Sequence, residues 1–315
     1  MNRRLKKAVL LAFIGIGVTF VATWPSALTF ILQKQLRSLR SQGVPLTWTG
    51  LKAEWNSVSF ETLSTTLPGP KVATGSHFLP AVTIPIPVEI GSASLRILPT
   101  SLIRLSPVLS FDMVAYGGKL SGDASNLKNS PTIRAHLDSL RIDQHPLLGS
   151  AGVRGGTLSF HTDGLSISPD NQLPQGSFAI EINQLDPPEI PNLKSILKVD
   201  TVGPLDLKGQ GTCSSNTIRV DRAELTSPFA TITGSATVNS ATSPNPDIRG
   251  DFRITLTDRG SQTFGPWLSL VTGGVIQSSA QSFQAQLSTR PCSAIRPGQP
   301  RLAVGTRCLD YAFRP

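Results

Sequence analysis

The feature that most constrains this chain is a period of two. In VLSFDMVAYGG, Leu109, Phe111, Met113 and Ala115 alternate with Ser110, Asp112 and Val114. TIRAHLDSL places Ile133, Ala135 and Leu137 on one side and Arg134, His136 and Asp138 on the other. SASLRILP does the same with Ala93, Leu95 and Ile97. Successive side chains of an extended strand point to opposite faces, so this alternation predicts half-buried β-strands. Further strands are expected at 156–161, 177–182, 217–225, 229–238, 251–257 and 282–288. Turns or loops are expected at Pro68-Gly69-Pro70, Gly117-Gly118, Gly155-Gly156 and Pro244-Asn245-Pro246. Short helices are expected only at about 191–198 and within 264–274. The fold class is therefore mainly β, expected as an elongated, curved, mostly antiparallel sheet over 47–290.

The N-terminus reads differently. Residues 8–32 contain no charged residue and follow Arg3, Arg4, Lys6 and Lys7. A bilayer core takes about 20 helical residues, and preceding cations favour a cytoplasmic N-terminus. No small-x-small cleavage site follows, and Trp24 suits a membrane interface. The expectation is an uncleaved transmembrane anchor, single-pass, with the remainder outside the cytoplasm. Leu32, Leu36 and Leu39 then repeat near helical spacing in ILQKQLRSLR, which Gly43 and Pro45 stop. Four segments result: a basic head and anchor at 1–32, a stem helix and linker at 33–46, the β-rich domain at 47–290, and a basic tail at 291–315.

The formal charge of +9 includes the four cations before the apolar run. The excess that remains is spread thinly, with no concentrated patch, so nucleic acid is not an expected partner. Cys292 and Cys308 bracket a Pro- and Gly-containing loop and are expected to form a disulfide, with Cys213 left over. Pairing of either with Cys213 is the alternative. Leu309, Tyr311 and Phe313 alternate with Asp310 and Ala312, which predicts a terminal strand.

The search for chemistry is negative. The chain has no phosphate-binding glycine loop, no H-E-x-x-H and no G-x-S-x-G. His77, His136, His145 and His161 are not spaced to meet on one helix turn. His136 and His161 are expected on strand faces, as surface histidines or as partners of Asp112, Asp138 or Asp143. The expectations are no enzyme, no cofactor and no metal.

One internal echo links YGGKLSGDAS at Tyr116 with RGGTLSFHTD at Arg154, and LKGQG at 207–211 is a looser third instance. With the stretches AYGGKLSGDAS, LGSAGVRGGTLSFHTDG and VGPLDLKGQGTCSSNTIRVDRAELTSPFATITGSATVN, the chain resembles the type II secretion system protein N family and the wider AsmA-like periplasmic proteins. The resemblance covers most of residues 50–290. It implies a structural component of the type II protein secretion system in the bacterial inner membrane, with a periplasmic main domain. The alternative it implies is AsmA-like lipid handling or envelope assembly. The implied partners are the lipid bilayer and other inner-membrane or periplasmic secretion or envelope proteins, with lipid as a further one. The family has no catalytic residues to carry over.

Overall fold

A computed structural model describes residues 25–38, 40–41, 43, 45–72, 82–98, 106–126, 130–150, 152–168, 173–189, 199, 201–241, 243, 245–291, 294, 302–304 and 307–315. The chain divides into two units, Met1–Tyr116 and Gly117–Pro315.

In the first unit, residues 25–38 are helical (α1). Thr29 Oγ1 donates to the Pro25 carbonyl at 2.8 Å and accepts from the Ala53 amide at 3.2 Å, which ties α1 to the strands. These strands are β1 (Leu46–Thr49), β2 (Lys52–Ala53), β3 (Ser57–Phe60), β4 (Thr62–Val72), β5 (Val82–Ile90), β6 (Ser92–Ile97) and β7 (Leu109–Ala115). β1, β4 and β5 form one antiparallel sheet, and β2, β3, β6 and β7 lie side by side in another. β5 is an edge strand with Pro85 and Pro87, residues that lack the N–H a new strand would need. Part of its free edge is bonded by Tyr116, whose hydroxyl donates to the Pro87 carbonyl at 3.1 Å and accepts from the Glu89 amide at 3.0 Å.

The β6–β7 register sets Ala93 against Met113, Leu95 against Phe111 and Ile97 against Leu109. The face assignment made from the alternation holds here: Phe111 is half-buried and Asp112 is exposed. Phe111→Asp should therefore destabilise the chain by about 2–4 kcal/mol, because a carboxylate replaces an apolar contact without a partner. Asp112→Asn should change stability by under about 0.5 kcal/mol. Chemical denaturation of both variants checks the pair, and equal losses would mean that the two faces are misassigned.

The second unit holds β8 (Gly118–Ser125), β9 (Thr132–Arg141), β10 (Thr157–Ser166), β11 (Gly176–Leu185), β12 (Leu205–Ser214), β13 (Thr217–Thr226), β14 (Ala230–Asn239), β15 (Asp247–Leu256), β16 (Ser282–Pro291), β17 (Leu302–Val304) and β18 (Arg307–Arg314). They pair antiparallel in sequence order from β8 to β16, then to β18 and β17. A five-residue helix α2 (Pro146–Ser150) lies between β9 and β10, and α3 (Asp258–Val271) follows β15.

Register shows why the strands outrun the strict alternation. The apolar pattern steps by three, not two, at Leu137/Leu140, Thr162/Leu165, Ile182/Leu185 and Val220/Ala223. At each step a β-bulge takes up the extra residue, so the apolar side chains return to the same face. Ser139 and Gln184, in two of these bulges, carry the left-handed φ values of 54° and 55°.

α3 covers one end of the apolar face. Thr257 caps it, with Oγ1 accepting from the Gly260 amide at 3.0 Å. The Thr257 amide and hydroxyl both donate to the Phe229 carbonyl, at 2.9 and 3.2 Å. Beneath lies the core cluster of Leu256, Ile276 and Phe283, packed against Ala230, Ile254, Leu268, Ala280 and Phe313.

Several expectations need correction. Among the described residues no helix is long and apolar enough to cross a membrane. Most of the expected anchor at 1–32 lies outside the described residues, and α1 runs through residue 32 without the break expected between anchor and stem. The fold class with a transmembrane helix, and the single-pass inner-membrane placement with a periplasmic domain, are thereby overturned. Nor is any sheet closed or strongly curled. Closure would require the outermost strands to pair with each other, but β17 has β18 as its one described neighbour and β2 has β3. Pro68-Gly69-Pro70 is not a turn but part of β4, and LKGQG lies inside β12. The helix expected at 191–198 lies outside the described residues.

Candidate functional site

The second unit presents two unlike faces, and the sequence period decides which residue lies on which. One face carries rows of apolar side chains that cross the strands. One row runs Leu120, Leu137, Phe160, Ile180, Gly209, Ala223, Gly234, Phe252, Ala285 and Phe313. The next runs Leu140, Leu158, Ile182, Leu207, Leu225, Ile232, Ile254 and Phe283. Most of these positions are half-buried, and Phe283 is the fully buried member beneath α3.

The glycines in these rows are there for packing. A Cβ on Gly234 would stand 2.6 Å from the Phe252 ring, and one on Gly209 would stand 3.2 Å from Ile180 Cγ2. A large side chain of a neighbouring position thus lies over each bare backbone. Cys213 is free and lies on the same face, opposite Ile218. Burial pushes its thiol pKa up, so little reactive thiolate forms at neutral pH.

The other face is polar and largely self-neutralised. Glu181 and Lys208 pair at 2.9 Å, Arg219 and Asp221 at 2.7 Å, Arg222 and Glu224 at 3.5 Å, and Arg290 and Asp310 at 3.0 Å. The hydrogen bond from Lys208 holds the Glu181 carboxyl below its ordinary pKa, and Glu181 raises that of Lys208. Such exposed pairs contribute little to stability, but they keep this face hydrated.

His136 and His161 meet on the polar face as cross-strand neighbours, with ring centroids 5.6 Å apart. His161 Nε2 lies 2.8 Å from Asp163 Oδ1. With Ser177, Gln210, Thr212 and Asp221 this pair lines an open depression of about 260 Å³. The acids expected from sequence are engaged elsewhere: Asp138 accepts from the Ser139 hydroxyl at 2.9 Å, and Asp143 pairs with Arg141 at 2.9 Å. Asp163 was missed, although it stands two residues after His161 and so shares its side of the strand. Among the described residues no group of three or more His, Cys, Asp or Glu is placed to hold a metal ion. His145 lies apart, at the start of α2, and His77 lies outside the described residues.

Of the two cysteines named for a disulfide, Cys308 is buried and disulfide-bonded, while Cys292 lies outside the described residues. The terminal strand is β18, with Leu309, Tyr311 and Phe313 opposite Thr289, Leu287 and Ala285 on the apolar side. Tyr311 and Phe313 contact each other with centroids 5.5 Å apart.

No known protein family, curated protein or solved structure matches this chain. The expected identity as a secretion-system component, or as an AsmA-like lipid-handling or envelope-assembly protein, finds no support in these comparisons. Among the described residues it also lacks the membrane-spanning helix it would require. That functional assignment is therefore corrected to the coarser one of a β-rich domain.

Proposed function

We propose that the chain is a binding protein without chemistry of its own, and that the apolar face of its second unit takes an extended hydrocarbon ligand laid across the strands. One observation carries this reading. The row through Leu137, Phe160 and Ile180 is apolar yet only half-buried, and α3 packs at the far end, on β14, β15, β16 and β18. Apolar surface left in contact with water is stabilised by a cover, at about 25 cal/mol per Å² removed from water.

The backbone favours a hydrocarbon over a peptide. In β9–β16 each strand has a partner on both sides, so its N–H and C=O groups are already consumed by the ladders. An added peptide strand needs a free edge, and the outermost strand here, β17, is three residues long. A hydrocarbon chain needs apolar contact alone.

The test is a titration of the full chain with a fluorescent long-chain fatty acid. Ile180→Glu should weaken binding on the order of tenfold, equivalent to about 1.4 kcal/mol. Ala179→Glu, one residue away on the polar face, should leave affinity within roughly twofold. Circular dichroism of both variants checks that the sheet is intact. Equal effects of the two substitutions, or no saturable binding by the parent chain, would reject the proposal.

A further inference from the structure

We propose that the end of the second unit formed by α3 and the turn after it is an insertion tip for an anionic lipid bilayer surface. Leu270 is 79% exposed, Val275 51% and Trp267 41%, the most exposed apolar group of the unit's α-helix and turn. Trp267 and Leu270 are three residues apart, so they share one side of α3. Pro266 beside them is also exposed, and Gly273 and Gly274 have open space where a side chain would stand. Nothing in the folding of the unit calls for this: the neighbouring Leu268 and Ile276 supply the core, and Trp267, Leu270 and Val275 face away from it.

Charge identifies the occupant. Residues 260–289 contain no Asp, Glu, Lys, Arg or His, which is the longest such run after residue 47. A tip that enters a headgroup region must not carry charge into it, whereas a protein partner would impose no such rule over the whole run. Three exposed arginines lie at this end of the strands, Arg253 and Arg314 on the sheet face opposite the one that α3 covers. Arg253 and Arg314 both oppose Gln284 across the strands, and Arg259 is held with its guanidinium 4.7 Å from the Phe229 ring centroid. The acids at this end are Asp258, at the start of α3, Asp251, which accepts from the Gln286 side chain at 3.0 Å, and Glu224, which Arg222 and Lys208 already engage. An apolar tip with a tryptophan, on an end of the sheet where arginines outnumber acids free of a basic partner, complements a bilayer whose headgroups are negative and whose interior begins a few ångströms below. The proposal is independent of hydrocarbon binding on the sheet face, because the residues and the readout differ.

The test isolates Trp267 by replacing Trp24, Trp48 and Trp55 with phenylalanine in the full chain. Vesicles of phosphatidylcholine with phosphatidylglycerol, carrying brominated acyl chains, then report contact by quenching. Emission from Trp267 should shift to the blue and fall by roughly twofold, and the effect should be lost in pure phosphatidylcholine vesicles. Leu270→Asp should abolish the quenching without lowering the thermal midpoint, since Leu270 makes no core contact. Because the signal comes from residue 267, attachment through the apolar segment near the N-terminus cannot imitate it. Protein bound to vesicles with Trp267 unquenched would overturn the proposal. So would an emission already blue-shifted without lipid and dependent on protein concentration, which would mean that a second copy covers the tip.

Discussion

Replacing Gly260 by alanine is expected to destabilise the chain by about 3 kcal/mol, the upper range for forcing an extra carbon into a packed site. For a unit of this size that is a fall in thermal midpoint of roughly 6–12 °C. Two effects oppose each other. Alanine is the better helix former by about 1 kcal/mol, so propensity alone predicts a gain. Against it, the added Cβ would strike the carbonyl oxygen of Phe229. That oxygen cannot retreat freely, because it accepts hydrogen bonds from both the amide and the hydroxyl of Thr257, the cap of α3. The steric term wins because moving Phe229 also disturbs the cap and the Arg259–Phe229 contact. Calorimetry decides the sign, and a raised midpoint would mean that α3 does not pack on Phe229 as described.

Phe283→Ala should cost more, about 3–5 kcal/mol. Phe283 is 3% exposed, packs with Leu256 and Ile276, and meets the Phe313 ring edge-on at a centroid distance of 5.9 Å. It lies where β16 passes beneath α3, so the cavity left by alanine is roofed by the helix and floored by the sheet. Few large side chains in the second unit are this well enclosed. Denaturant unfolding should show a loss at least as large as that for Gly260→Ala, and a cost under about 1 kcal/mol would mean that the cluster is not the packed centre of that end.

Much of the strand content could be read from residues, and the errors follow a physical pattern. The strand expected at 177–182 stops at Ile182 because the alternation fails at Gln184, which is polar where an apolar residue is due. The structure continues β11 to Leu185 by bulging at Asn183 and Gln184. The same phase slip falls inside the strand expected at 217–225, where Asp221 and Arg222 stand together between Val220 and Ala223. β12 was hidden for another reason. Its glycines at 209 and 211 look like turn residues, yet they sit mid-strand under Ile180 and against the backbone of Arg219 and Val220. α3 begins six residues before the expected start, because Thr257 caps it well ahead of the apolar run.

The pairing of His136 with His161 was out of reach of spacing alone. It depends on the β9–β10 register, which the bulge at Asp138 and Ser139 shifts by one residue. The apolar face, by contrast, was legible from alternation at Ile133, Ala135 and Leu137. What could not be read was whether a second layer covers it. Layering is a long-range property, and a half-covered strand and a fully packed one share the same period of two.

The central claim is that hydrocarbon lies on the apolar face of the second unit. It is tested most directly by irradiating the full chain with a diazirine-bearing fatty acid and mapping the adducts by mass spectrometry. The expected adducts fall on alternate residues of adjacent strands, on Phe178, Ile180 and Ile182 of β11 and on Leu205 and Leu207 of β12. Ser177, Ala179, Glu181 and Lys208, on the opposite face, should remain unlabelled. Labelling spread evenly over both sets, or confined to residues outside the second unit, would contradict it.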